Sequence, residues 1–235
     1  MANQPTLIVL DYETTGRSPE SSCVWQVGAC AVRGGEIISE FESKVRPSLD
    51  FFQAEHREVV RKVSGLDDAG LLALLDAPKF AEVVDPFQSW LHAVTGGRKA
   101  KLSDKCGHAF NEEGECVLCF SLHQDVWTPG IGYPLRLTSF NAAFDRGFYE
   151  AEGWGWVAKA DTELPAEWQP CIMDLAAKAM GRTGPHNTKA TRYGRVNSVP
   201  LKQACKRYEV ELINAHDGLA DARAVAQLAI KLGME

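Results

Sequence analysis

Four carboxylates and one imidazole stand out in this chain: Asp11, Glu13, Asp145, Asp221 and His216. Asp11 and Glu13 sit at i and i+2 where the β-branched and leucine-rich run Thr6 to Leu10 ends. In a strand that spacing puts both side chains on one face. The turn that follows, Thr14-Thr15-Gly16, lets backbone come close to a ligand. Asp145 is three and four residues from Phe148 and Tyr149, so on a helix it points toward packed structure. Asp221 falls on the apolar stripe of the last helix with Ala222, Val225, Leu228 and Leu232. A lone charge on that stripe is costly to bury without a partner or a metal. Converging carboxylates need cations, and oxygen-only ligands suit Mg²⁺ or Mn²⁺. His216, five residues before Asp221, is placed at the mouth of the same helix, where an imidazole can act as a general base. Taken singly, each has a structural reading. D-x-E ends many strands, Asp145 fits a surface or capping role, and Asp217 is a natural N-cap. The combination favours chemistry.

A second constellation lies in mid-chain. Cys106-x-His108, seven residues, then Cys116-x-x-Cys119 supplies four ligands, the second pair at zinc-knuckle spacing, with His123 as a substitute. Gly107 and Gly114 permit the turns that a knuckle requires, and a structural Zn²⁺ would let a polar segment fold. A loop with incidental reduced thiols and a redox C-x-x-C pair are the alternatives. The other cysteines, Cys23, Cys30, Cys171 and Cys205, sit singly among apolar neighbours and read as core thiols. An odd count of seven argues against a disulfide framework.

The elements that must position these residues follow from periodicity. Thr6–Leu10, Val24–Val32 and Glu36–Val45 read as three strands, with Gly34-Gly35 as the second turn of an antiparallel meander. Glu55–Val63 and Asp67–Leu75 have helical spacing, and Asp85-Pro86 predicts the start of a helix over Pro86–Val94. From Gly96 to Gly132 periodicity is lost, and so long a stretch without elements of its own marks an insert. Pro134–Phe140 reads as a strand, and Asn141–Ala151, Asp174–Met180, Pro200–Tyr208 and Asp217–Leu232 as helices. His56, His92 and His186 have no ligand-like neighbours and are expected at the surface, whereas Trp154, Trp156 and Trp168 are expected to pack or anchor loops rather than stack on bases.

At 235 residues, 45% hydrophobic and 24% charged, the chain suits one soluble α/β domain carrying a small insert, and disordered and fibrous classes are excluded. No apolar run approaches a membrane span, so neither a membrane nor secretion is expected, and the expected location is cytoplasmic. The net charge of −6 hides an asymmetry. Lys178, Arg182, Lys189, Arg192, Arg195, Lys202, Lys206 and Arg207 lie in 30 residues without an acid, leaving −14 for the remainder. A basic arm on an acidic body is a footprint for a polyanion, although a solvated loop and helix face would read the same way.

Three segments, DYETTG (Asp11–Gly16), NAAFDRGF (Asn141–Phe148) and HDGLADA (His216–Ala222), closely resemble in order and placement the motifs of the DEDDh 3′→5′ exonucleases, the family of polymerase proofreading subunits and RNase T. The resemblance covers most of the chain outside about 96–132. It implies a ribonuclease H-like mixed β-sheet flanked by helices, here with a small zinc-binding insert. It also implies two Mg²⁺ or Mn²⁺ ions, with Asp11 bridging them, Glu13 and Asp221 completing the first site and Asp145 supporting the second. His216 would deprotonate the attacking water. Thr14 matches the position that approaches the terminal nucleotide, and Asn141 and Phe144 would help shape its pocket. The product would be a 5′-mononucleotide, released from the 3′ end of single-stranded or frayed DNA. RNA, a short oligonucleotide, or a non-catalytic nucleic-acid-binding role remain open, as does a protein partner met through the insert. The chain runs only a little past the last motif, which favours a free-standing enzyme over a tethered subunit.

Overall fold

The computed structural model describes residues 5–47, 54–96, 98–101, 125–128, 135–151, 166–182 and 198–234. The elements in chain order begin with β1 (Leu7–Thr14), β2 (Val24–Arg33) and β3 (Glu36–Lys44), then α1 (Ala54–Ser64), α2 (Asp68–Ala73) and α3 (Phe80–Thr95). A ribbon of β4 (Arg98–Lys101) and β5 (Asp125–Thr128) comes next, followed by β6 (Leu135–Thr138), α4 (Ala142–Ala151) and β7 (Ala166–Trp168). Three helices complete the chain: α5 (Ile172–Ala179), α6 (Leu201–Tyr208) and α7 (Gly218–Lys231). The main sheet has the order β3-β2-β1-β6-β7, antiparallel across the meander and parallel from β1 through β6 to β7. This is the expected mixed sheet flanked by helices.

The period-two alternation of β1 divides the core between two helical layers. Leu7 and Val9 pack with Cys30 and Val32 against α5, α6 and α7, while Ile8, Leu10 and Tyr12 pack with Ala29 and Ala31 against α3 and α4. Asp11 and Glu13 continue the first set, so they lie on the face that α7 covers. The strand runs to Thr14, four residues beyond Leu10, because β2 is long enough to pair it: Asp11 lies opposite Gly28 and Glu13 opposite Gln26.

Three local expectations need correction. The third helix begins at Phe80 and contains Pro86, so Asp85-Pro86 is not its start. Glu82 Oε2 accepts a 2.6 Å hydrogen bond from the Lys79 N–H, and Val83 continues the buried stripe of Phe87, Leu91 and Val94. Capping and one more buried turn outweigh the hydrogen bond that the proline forgoes. The same phase buries His92 completely rather than leaving it at the surface, and burial lowers its imidazole pKa to about 4. Third, the 96–132 segment is not without structure, since Arg98–Lys101 and Asp125–Thr128 pair antiparallel as a two-stranded ribbon.

Among the cysteines expected in the core, Cys30 and Cys205 are buried, whereas Cys23 and Cys171 are only half-buried. Trp168 packs edge-on against Tyr149 at 5.8 Å between centroids, an anchoring role as expected. Trp154 and Trp156 lie outside the described residues.

Candidate active site

β1 and β6 run parallel, so their carboxyl ends open on the same edge of the sheet, where open α/β folds place ligands. β1 contributes Asp11 and Glu13. The chain leaving β6 passes through Ser139 into α4, whose first turn carries Asp145, and the Asn141 carbonyl accepts the N–H groups of Phe144 (2.8 Å) and Asp145 (3.3 Å) to open that helix. Asp145 is 3% exposed and doubly held. Its Oδ1 accepts the Tyr12 N–H at 3.1 Å, and its Oδ2 accepts the Ser139 hydroxyl at 2.7 Å. These bonds tie it to β1 between the other two carboxylates.

The fourth carboxylate arrives on α7. Asp217 is the N-cap, its Oδ1 accepting the Ala220 N–H at 3.0 Å. His216 has a left-handed backbone, φ +71°, and donates its N–H to Asp221 Oδ2 at 3.2 Å. The other oxygen, Asp221 Oδ1, is buried and has no hydrogen-bond partner among the described residues. Ligand atoms of Glu13, His216 and Asp221 all lie within 4.8 Å of one another, with both acids buried and the imidazole exposed. The four sequence-predicted carboxylates and His216 therefore converge.

The electrostatics are those of crowded like charges. Burial first, then Asp145, Glu13 and Asp221, hold the Asp11 carboxyl well above the usual range. Burial, then Asp221, Asp145 and Asp217, push Glu13 up to about 8. Asp221 is also raised, chiefly by burial, against the lowering effect of the His216 N–H and imidazole. Such a cluster strongly favours a bound cation over five-fold repulsion. The buried, unpartnered Oδ1 of Asp221 is the atom that a divalent ion would satisfy, and the oxygen-rich donor set fits Mg²⁺ or Mn²⁺.

The expected substrate contacts flank this centre. The Thr14 hydroxyl donates to the Gly16 carbonyl at 2.6 Å, and the Thr15 Oγ1 accepts the Cys23 N–H at 3.0 Å, so the loop after β1 is pinned. Asn141 is exposed, and half-buried Phe144 lies 5.1 Å from the Phe148 ring. Of the basic arm, Lys178, Lys202, Lys206 and Arg207 are exposed and Arg182 is half-buried, while Lys189, Arg192 and Arg195 lie outside the described residues. So do Cys106, His108, Cys116, Cys119 and His123.

Sequence reasoning missed Ser139, Gln26 and Gly28. A side-chain bond across 133 residues, as between Asp145 and Tyr12, leaves no trace in local spacing. Gly28 did leave one, since a glycine inside an apolar strand signals close backbone approach.

An exonuclease family profile matches residues 8–101. The PolC-type DNA polymerase III of Bacillus cereus is 35% identical over 229 residues, and that of Staphylococcus saprophyticus 33% over 231, each match covering 97% of this chain and 11% of the relative. The chain thus spans about a ninth of the length of these curated relatives. Among solved structures, exonuclease I from Methylocaldum szegediense superimposes with a TM-score of 0.57 at 15% identity, covering 97% of this chain and 40% of that one. Exonuclease I of E. coli in complex with a dT13 oligonucleotide gives 0.56 at 16% identity, covering 97% of this chain and 40% of that one. These likenesses agree with the mixed-sheet fold. No helix among the described residues is long and apolar enough to cross a membrane.

Proposed function

Because the chain belongs to the DEDDh-type 3′→5′ exonuclease family, we propose that it is a divalent-metal-dependent nuclease that removes 5′-mononucleotides from the 3′ end of single-stranded or frayed DNA. One observation carries the reading. Glu13, His216 and Asp221 meet within 4.8 Å beside Asp11 and Asp145, and Asp221 Oδ1 is buried without a partner.

Asp11, Glu13 and Asp221 would hold one ion, and Asp11 with Asp145 a second. When bound, the ions would supply charge stabilisation for the attacking and leaving oxygens of an in-line displacement. The protein's own groups do the rest. His216, exposed and tied through its N–H to Asp221, takes the proton of the attacking water on a ring nitrogen and returns it to solvent. Tyr12 and Ser139 keep Asp145 fixed. Thr14, Asn141 and Phe144 border the terminal nucleotide, and the exposed lysines and Arg207 draw phosphates toward an otherwise repulsive centre. In the insert, Cys106, His108, Cys116 and Cys119 would hold a structural Zn²⁺, and the segment would serve substrate or partner recognition.

The test is a degradation ladder on 5′-labelled single-stranded DNA and RNA of equal sequence with Mg²⁺, and Asp145→Ala as the contamination control. Stepwise shortening of the DNA, absent in the variant, is the expected result. Faster loss of RNA would reassign the substrate. No cleavage of either polymer, with Mn²⁺ also tried, would replace the enzyme by a binding module on the same fold.

A further inference from the structure

Gln26 lies on β2 directly opposite Glu13 and is 2% exposed, yet it is polar. Its amide Nε2 donates in two directions, to Glu42 Oε1 of β3 at 3.1 Å and to Asp217 Oδ2 at 3.2 Å. A buried amide donor between two carboxylates is costly to place and costly to remove. The bond occupies the oxygen of Asp217 that the helix cap does not use. It leaves Oδ1 aimed at the Ala220 N–H, while the Asp217 carbonyl accepts the Asp221 N–H at 2.9 Å. His216 immediately precedes this cap, in a left-handed conformation that a free chain seldom adopts for a residue with a side chain.

We propose that Gln26 is a positioning residue which, through Asp217, fixes the first turn of α7 and thereby the disposition of His216 and Asp221 toward Glu13. The sheet thus sets the helix by a polar link from β3 through β2. Its neutral donor is matched to an environment where a further charge would add to the repulsion around Glu13 and Asp11. The inference deepens the nuclease reading and rests on it for the use to which the divalent cation is put.

The experiment is a Mn²⁺ titration by calorimetry on the full chain, comparing wild type, Gln26→Met, Asp217→Ser and the double variant, with hydrogen exchange read at the Ala220 amide. Gln26→Met removes both donors, and Asp217→Ser keeps a capping oxygen but loses the partner. Each single change is expected to weaken Mn²⁺ about tenfold, as loss of a ligand-orienting bond does. The Ala220 amide should exchange faster, and the double variant should bind no worse than the weaker single one. In turnover, kcat should fall while the oligonucleotide KM stays. Unchanged Mn²⁺ affinity in a folded Gln26→Met protein, or effects that simply add, would overturn the proposal. If the methionine variant does not fold, Gln26→Asn, which withdraws the same donors on a shorter stem, decides by the same Mn²⁺ reading. A wild type that binds Mn²⁺ but cleaves neither DNA nor RNA would remove the nuclease reading, and the Mn²⁺ comparison would still judge Gln26.

Discussion

The backbone of Gly28 in β2 lies directly against that of Gly218 at the start of α7: a Cβ built on Gly28 would fall 2.1 Å from the Gly218 carbonyl carbon. Asp11 is the ladder partner of Gly28, so this contact sets how near the helix carrying Asp221 comes to the strand carrying Asp11. The reverse substitution meets more room, since a Cβ on Gly218 would stand 3.2 Å from the Gly28 nitrogen. Gly28→Ala should therefore cost at least the upper end of the ~1–3 kcal/mol typical of overpacking. At ~2–4 °C per kcal/mol for a chain of this size, its melting temperature should fall by roughly 6–12 °C. Gly218→Ala should cost less, and equal melting temperatures for the two variants would contradict the asymmetry.

The pH dependence of the metal-free protein follows from Glu13, Asp11 and Asp221, all raised in the folded state. A native carboxyl that keeps its proton where the unfolded one has lost it makes stability fall as pH rises. For Glu13 the window opens at the ordinary value of 4.5 and closes at about 8. Thermal melts in chelator should decline across that range. Saturating Mg²⁺ or Mn²⁺ should remove most of the slope, because the cation binds the deprotonated acids. Asp11→Asn, which deletes one of the crowded charges, should flatten the chelator curve without any metal. A chelator curve that rises between pH 5 and 8 would exclude this account.

His216→Gln keeps a polar side chain of similar reach and leaves the backbone N–H bond to Asp221 available. Loss of a general base typically costs about 10²–10⁴ in rate. The variant should show kcat reduced by about 100-fold or more with oligonucleotide KM little altered, and partial recovery at high pH, where hydroxide replaces the base. Wild-type kcat would remove the imidazole from the reaction.

Zinc is the prediction for the insert. Protein purified without added metal should contain about one Zn per chain by elemental analysis, and Cys116→Ser with Cys119→Ser should release it. The main sheet should be little affected, because its ladder from β3 to β7 includes neither cysteine. A zinc content near zero under gentle preparation would leave only a thiol-bearing loop.

Much of the centre was readable because its residues violate local rules. Asp221 interrupts an apolar stripe, and in the structure it is 8% exposed with an unpartnered oxygen. Asp11 and Glu13 share a face by strand periodicity alone, and Asp145 turns inward with Phe148 and Tyr149, as their spacing requires. What escaped depends on partners distant in sequence. Ser139 is an ordinary serine until α4 brings Asp145 over it, and Gln26 is an ordinary strand glutamine until Asp217 arrives from 191 residues away. The start of α3 was misplaced because Asp85-Pro86 is a sound local signal that a buried turn from Val83 overrides. β7 is three residues long, too short for any alternation to register.

The ribbon of β4 and β5 has a consequence for descent as well as for structure. Arg98 pairs with Thr128 and Lys101 with Asp125, so the two ends of the stretch between these strands stand one strand spacing apart. A segment whose two roots are already side by side can be lengthened, shortened or exchanged between lineages without stretching the sheet or moving Asp11, Asp145 or Asp221. The acidic cluster and the stretch between the two strands of the ribbon are thus free to change at different tempos.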